Sequence, residues 1–318
     1  MTDRRYSFPP YPDGWFRVAY SDELARGAVL PLDYFGRELV LYRDEAGAPH
    51  LLDAHCPHLG AHLGYGGTVE GTAIRCPFHA WLWDGDGRCI DIPYCDRIPR
   101  GAVTRPWTVD ERNGLVMAWH HAAGDAPAYE LPTLDAVGDD GWTPMEVRKW
   151  TVRARWLDMN ENAVDQVHFV YVHGTSTQPE TEASIDGHIL RCRSRMRMPT
   201  PRGDIDGGID TDDYGPGFQT VVVRGAVDTL MINTSTPIDE ETTDTSFAYS
   251  VRRTDDPERA ERIGAAMIRD LEKQMNQDIA IWENKKYYER PLLCDGDGPF
   301  GVYRRWMRQF FSAGGSAA

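Results

Sequence analysis

The sequence predicts an α+β protein, with a small all-β unit near its N-terminal end followed by an antiparallel sheet packed with helices. Three observations lead there. From residue 15 to about 119, short β-prone runs are split by Gly, Pro and Asp, as in ELVLYRDEAGAPHLLDA, TAIRCPFHAWLWDGDGRC and GLVMAWHH. A segment rich in Ala, Gly, Asp and Pro over 121–141 then interrupts the pattern. Beyond it, strand-like runs near 185–198, 218–227, 230–236 and 246–252 lead into one long helical pattern.

Taken in order, residues 157–172 read as a first helix of the second half. The Gly-rich stretch PRGDIDGGIDTDDYGPG at 201–217 reads as a loop. The long helix, over 256–287, has Pro257 in its first turn and carries Ile263, Met267, Leu271, Met275, Ile279 and Trp282 at spacings of three or four, a stripe that should face the core. Domains are thus expected at 15–120 and 142–311, joined by a connector at 121–141. Residues 1–14 are expected to pack on the second domain, and SAGGSAA at 312–318 reads as a flexible tail.

With 318 residues and 41% apolar content, the chain can build packed cores without disulfides. It has no run approaching the roughly 18 apolar residues of a membrane span, and MTDRRYSFPP lacks the apolar core of a signal peptide, so a cytoplasmic protein is expected. A formal net charge of −15 excludes general binding to nucleic acid, which needs a basic face. Six scattered cysteines make no disulfide scaffold, but two of them lie beside histidines at ligand spacing.

In HCPHLGAHLGYGGTVEGTAIRCPFHAW, Cys56 and His58 are one residue apart, Cys76 and His79 two apart, and seventeen residues separate the pairs. Two loops that each give one thiolate and one imidazole can place two sulfur ligands on one iron and two nitrogen ligands on another. This is the ligand set of a Rieske [2Fe–2S] centre, which accepts and passes on single electrons. A structural Cys2His2 zinc site uses the same residue types, but it usually pairs Cys with Cys and His with His. His55 and His62 fall outside the pattern and read as ordinary loop histidines.

Further on, MNENAVDQVHFVYVHG holds His168 and His173, with Asp165 three residues before the first. Five residues of ideal helix turn about 500°, leaving the two rings roughly 140° apart, so both reach one metal only if the helix ends or distorts between them. Gly174 suits such an ending. Two imidazoles and a carboxylate make the facial triad that holds Fe(II) with open positions for dioxygen. Asp278 is the chosen third ligand, because it lies on the inward stripe of the long helix between Met275 and Trp282. A carboxylate buried there needs a metal or a cationic partner. Glu283 and Glu272 are the alternatives.

Together, the CPH and CPFHxW loops and the D-x2-H-x4-H segment resemble the Rieske non-heme iron oxygenases over nearly the whole chain. Within that family the resemblance is to oxygenase components of 3-ketosteroid 9α-hydroxylases, with cholesterol 7-desaturases second. It is carried by CPFHAWLWDGDGRCIDIP (76–93), QDIAIWENKKY (277–287) and RPLLCDGDGP (290–299). The resemblance implies an all-β Rieske domain and a helix-grip (START-like) catalytic domain. It also implies a homotrimer in which the cluster of one subunit lies near the iron of the next, with Asp165 bridging the two sites. His168, His173 and Asp278 match the family's iron ligands.

The function so implied is a terminal oxygenase that uses O2 to hydroxylate a hydrophobic, steroid-like substrate at Fe(II). No GxGxxG fingerprint and no ferredoxin cysteine run are present, so NAD(P)H electrons should arrive through a separate ferredoxin or flavin reductase. Desaturation or demethylation of a smaller alicyclic or aromatic compound could start from the same iron. A Rieske electron carrier without catalysis leaves about two hundred residues and the second metal constellation unused. A zinc-stabilised binding protein would be colourless and free of labile sulfide. The pocket walls are expected from 218–236 and 174–217.

Overall fold

In a computed structural model of the protein, which describes residues 9–175, 177–198 and 203–312, the chain divides into two compact units. One spans 15–133. The other combines the described residues of 134–312 with 9–14.

The first unit holds strands β1 (Gly14–Tyr20), β2 (Val29–Tyr34), β3 (Arg37–Arg43), β4 (Pro49–Asp53), β5 (Thr68–Glu70) and β6 (Ala73–Arg75). After these come β7 (Leu82–Trp83), β8 (Cys89–Asp91), β9 (Pro106–Trp107), β10 (Val109–Arg112) and β11 (Leu115–His120). They form three sheets, in the orders β1-β11-β10, β2-β3-β4-β9 and β5-β6-β7-β8. Val40, Tyr42, Leu52, Ile74 and Trp83 fill the core beneath β5 to β8, together with Cys56 and Cys76. The connector expected at 121–141 is not free over its first part. Tyr129 and Leu131 carbonyls accept from Trp15 Nε1 and Arg112 Nη1 at 2.9 and 2.7 Å, and Pro132 O accepts from Asn113 Nδ2 at 2.8 Å, which folds this stretch onto the first unit.

The second unit contains β12 (Glu146–Val152), the short helices α1 (Trp156–Asn160) and α2 (Val167–Tyr171), and strands β13 (Glu180–Asp186), β14 (Ile189–Met198), β15 (Ile205–Tyr214), β16 (Phe218–Arg224), β17 (Thr229–Pro237) and β18 (Thr243–Val251). Helices α3 (Pro257–Trp282) and α4 (Phe300–Arg308) follow. The seven strands form one antiparallel sheet in the order β12-β18-β17-β16-β15-β14-β13. Helix α3 lays Ala260, Ile263, Met267, Ile268 and Leu271 on Val221, Val223, Met231, Tyr249 and Val251. Farther along the helix, Met275, Ile279 and Trp282 meet Val152, Ala154 and Met159. The inward stripe read from the sequence is this contact, so the domain is a helix lying along one face of an antiparallel sheet. Carbonyls of Pro9 and Pro10 accept from Arg155 Nη2 at 2.8 and 3.3 Å, which ties residues N-terminal to β1 to this unit. Most of the expected tail, 313–318, lies outside the described residues, as do 201 and 202 of the expected Gly-rich loop.

The structure corrects the loop expected at 201–217, because β15 occupies 205–214 and pairs on both sides. Its Gly and Asp content argues against a strand by propensity, but cross-strand pairing overrides it. Asp210 meets Arg195 and Arg224 at 2.7 and 3.0 Å, and Asp212 meets Arg193 at 2.6 Å. The single helix expected at 157–172 is also broken. A 3-10 turn at Glu161–Val164 and an extended Asp165 (φ −90°, ψ 105°) separate α1 from α2. No helix among the described residues is long and apolar enough to cross a membrane.

Candidate metal centres

The two Cys-Pro loops share one backbone frame. Cys56 N donates to Ala61 O and Gly60 N to Cys56 O, at 2.8 and 2.9 Å; Cys76 N donates to Trp81 O and Ala80 N to Cys76 O, at 2.8 and 3.1 Å. Each turn closes on a left-handed residue, Gly60 (φ 76°) or Ala80 (φ 59°). The histidine is third in one turn and fourth in the other, so equivalent loops facing each other present different edges.

Both cysteines are buried, while the imidazoles of His58 and His79 reach the half-exposed margin with ring centroids 4.6 Å apart. His58 stacks on Trp81 at 4.5 Å and 8°, and Trp81 Nε1 donates to Tyr94 Oη at 2.7 Å, which fixes the ring's plane. Burial pushes the Cys56 thiol up to about 11, the His58 backbone N–H opposes the rise, and neighbouring Cys76 adds to it. A thiolate in such a place needs a cation, and metal coordination deprotonates thiols outright.

Among the described residues, the trio whose ligand atoms all lie within 4.8 Å of one another is His168, His173 and Asp278. The four residues of the Cys-Pro loops do not close in that way around one point. That geometry suits a two-iron unit with sulfur at one end and nitrogen at the other better than a single zinc ion. His55 and His62 pack against each other at 5.2 Å, and His62 Nδ1 accepts from Gly64 N.

In the second unit, the break before α2 and the end of that helix at Tyr171 turn His168 and His173 toward each other, with ring centroids 5.0 Å apart. Asp278 arrives from α3, with Oδ2 3.4 Å from His173 Nε2. Gln277, its neighbour on α3, places Oε1 3.2 Å from His173 Nδ1, so Nε2 is the ring atom left for a metal. Burial works against a charged His173, but its hydrogen bonds with Asp278 and Gln277 outweigh burial and raise its pKa. The pair therefore attracts positive charge. His168 Nδ1 is buried and, among the described residues, has no partner within hydrogen-bonding distance.

The Asp165 Oδ1 atom accepts from Val167 N and His168 N at 3.2 and 3.3 Å and lies 3.7 Å from His168 Nδ1. Burial alone would raise this carboxyl; the contacts with His168 and the two backbone N–H groups hold it below the usual range. The alternative carboxylates are engaged elsewhere, Glu272 with Arg148 at 3.5 Å and Glu283 with the Arg153 N–H at 3.1 Å.

Several supporting residues gave no local signal. Gln277 is one. The turn between α1 and α2 is held by Glu161, whose Oε1 accepts from Arg304 Nε at 2.7 Å, with Lys285 Nζ 3.8 Å from its other oxygen. Gly298, in the loop before α4, passes so close that a Cβ there would fall 1.8 Å from the Val164 carbonyl oxygen. Gly298→Ala must displace either this loop or the turn that carries Asp165 and His168. We expect it to cost about 1–3 kcal/mol of stability and to lower iron retention at the His168 site, with the visible spectrum of the cluster unchanged. Thermal melts and iron-to-sulfide analysis check this.

A cavity opens beside the trio. It is lined by α3, by β15 to β18 and by residues around α1 and α2, including Ile209, Val221, Val223, Met231, Phe247, Leu271 and Met275. Among the described residues of 174–217, only Ile209, Thr211, Pro216 and Gly217 belong to the wall.

Comparison with known proteins matches residues 14–103 to the Rieske [2Fe-2S] domain and residues 118–311 to the 3-ketosteroid 9alpha-hydroxylase C-terminal domain. A 3-ketosteroid-9-alpha-monooxygenase oxygenase component of Rhodococcus rhodochrous is 33% identical over 323 residues, covering 94% of this chain and 83% of the relative. Cholesterol 7-desaturase of Bombyx mori is 30% identical, covering 96% and 70%. Dicamba monooxygenase, solved with 3,6-dichlorosalicylic acid, shares the fold with a TM-score of 0.78 at 21% identity, covering 96% and 98% of the two chains.

Proposed function

The chain belongs to the Rieske non-heme iron oxygenases with a 3-ketosteroid 9α-hydroxylase type of catalytic domain, and from that membership we propose that it hydroxylates a steroid-like substrate in the cavity beside His168, His173 and Asp278. It is the oxygenase component of a multi-component system, dependent on O2 and on electrons supplied by a partner protein. We assign Cys56, His58, Cys76 and His79 to the [2Fe–2S] cluster, and His168, His173 and Asp278 to the mononuclear iron.

One observation carries the reading: a cavity walled by aliphatic, methionine and phenylalanine side chains runs directly along the two-histidine, one-carboxylate trio. Such a wall receives a hydrophobic skeleton and excludes water from it. Iron held by that donor set supplies open positions for dioxygen. Gln277 keeps the His173 ring oriented through Nδ1, and Asp165 does the same for the segment that bears His168. In a homotrimer, with a ferredoxin or flavin reductase as the electron source, Asp165 would bridge the cluster of one subunit and the iron site of the next. Exposed Leu59 and Phe78 at the cluster loops, and Tyr171 at the end of α2, are consistent with contact surfaces at both centres.

The test is O2 consumption by anaerobically reconstituted protein with a surrogate reductase, against panels of steroids and of smaller aromatics. Steroids are expected to stimulate O2 uptake with matching product. If only the smaller aromatics couple uptake to product, the steroid assignment is wrong.

A further inference from the structure

Residues Asp213, Gln219 and Asn233 lie directly opposite one another on three adjacent strands, because Gln219 pairs with Asp213 across β15 and β16 and with Asn233 across β16 and β17. Such partners share one face of a sheet. Gln219 Nε2 donates to Asp213 Oδ1 at 2.7 Å, and Asn233 Nδ2 donates to Gln219 Oε1 at 2.8 Å. Gln219 and Asn233 line the cavity, whereas Asp213 is 2% exposed and stands outside that lining.

The direction of this relay follows from chemistry. An ionised carboxylate only accepts, so Gln219 must turn its NH2 to Asp213 and its carbonyl to Asn233; Asn233 must then turn its NH2 to Gln219. Its own carbonyl oxygen is left over. Among the described residues lining the cavity, the buried side-chain polar atoms without a hydrogen-bond partner are His168 Nδ1 and this Asn233 Oδ1. Other polar groups of the wall are engaged: Asn160 donates to Pro216 O, Asn162 accepts from Trp282 Nε1, and Ser235 pairs with Thr245. His168 Nδ1 lies 3.7 Å from Asp165 Oδ1. Among the described residues, Asn233 Oδ1 meets no donor.

Resting on the steroid-oxygenase reading above, we propose that Asn233, oriented by Asp213 through Gln219, makes the cavity select ligands that offer a hydroxyl over the corresponding ketones. A hydroxyl hydrogen satisfies the open acceptor, and a ketone oxygen faces it with a second acceptor. Asp213 and Gln219 are positioning residues, and Asn233 is the contact. Burial pushes the Asp213 carboxyl up to about 7, with Gln219 opposing the rise and Asp212 adding to it; Cys192 on β14 and Tyr303 on α4 are its other titratable neighbours. The relay is therefore best measured at about pH 8.5, where the carboxylate form prevails.

Calorimetry on the metal-loaded protein, with probes that differ only in oxidation state, tests this. The pairs are testosterone and androst-4-ene-3,17-dione, which differ at carbon 17, and 3β-hydroxy-5α-androstan-17-one and 5α-androstane-3,17-dione, which differ at carbon 3. A third pair, 4-tert-butylcyclohexanol and 4-tert-butylcyclohexanone, serves as a small alicyclic control. The alcohol should bind about tenfold tighter in at least one pair. Asp213→Asn, which can donate as well as accept, frees both amides to turn and should bring that ratio to within about twofold. Asn233→Leu should do the same by removing the acceptor, and it carries the test alone if Asp213→Asn does not fold.

Equal binding of alcohol and ketone by the unmodified protein overturns the proposal, as does either variant that weakens both members yet keeps their ratio. If steroids bind and are turned over without preference, the relay falls and the oxygenase reading stands. If no steroid binds but the alicyclic alcohol is favoured and loses its advantage in the variants, the steroid reading falls and the relay stands. Failure of every probe to bind overturns both.

Discussion

Asp278→Ala is expected to empty the mononuclear iron site while leaving the cluster intact. Analysis should fall from about three iron atoms per two sulfides to about two, with the visible absorption of the cluster unchanged. The effect on turnover should be large, because Asp278 is the sole carboxylate of the trio and its side chain is mostly buried against His173. Losing an outer-shell partner of a metal site typically lowers affinity or activity by about 10- to 100-fold, and loss of a direct ligand should exceed that. Since Glu272 and Glu283 are engaged with Arg148 and the Arg153 backbone, neither is free to substitute. A variant that retains its iron and its activity would refute Asp278 as a ligand.

For Asp165→Asn the expected pattern is different: both metals stay bound, and turnover falls by roughly 100-fold. The amide is isosteric, so its oxygen can still accept from the Val167 and His168 N–H groups and keep the turn before α2 in shape. The negative charge is what disappears. In the native protein that charge is maintained in a half-buried setting by the contacts with His168 and the backbone N–H groups, which hold the carboxyl below its usual range despite burial. Cluster reduction by the electron donor should proceed normally, and the loss should appear only in product formation. Normal turnover by Asp165→Asn would remove the bridging role.

Much of this organisation is legible in the sequence, because its signals are local. Cys56, His58, Cys76 and His79 sit in two short loops whose spacing alone carries the pattern, and the structure gives those loops a common hydrogen-bond frame. The five-residue gap between His168 and His173 already requires a broken or ended helix, and the chain breaks before α2 and ends it at Tyr171. Asp278 follows from the inward stripe of α3.

What escapes is what depends on distant partners. Strand β15 looks like a loop because its aspartates find arginines on β14 and β16 only after folding. Gln277 orients a histidine 104 positions earlier, and Gly298 is needed because a carbonyl 134 positions earlier lies against it. The row of Asp213, Gln219 and Asn233 exists only through the register of three strands.

The most direct measurement is a single turnover under 18O2. Protein with its cluster reduced anaerobically, then freed of reductant, is mixed with 18O2 in the presence or absence of a steroid substrate, and cluster absorption and product are followed together. Substrate-dependent reoxidation of the cluster, with one 18O atom in each hydroxylated product, is the expected result. Reoxidation at the same rate with and without substrate, and no labelled product, would mean that the cluster does not serve an oxygenase site in this chain.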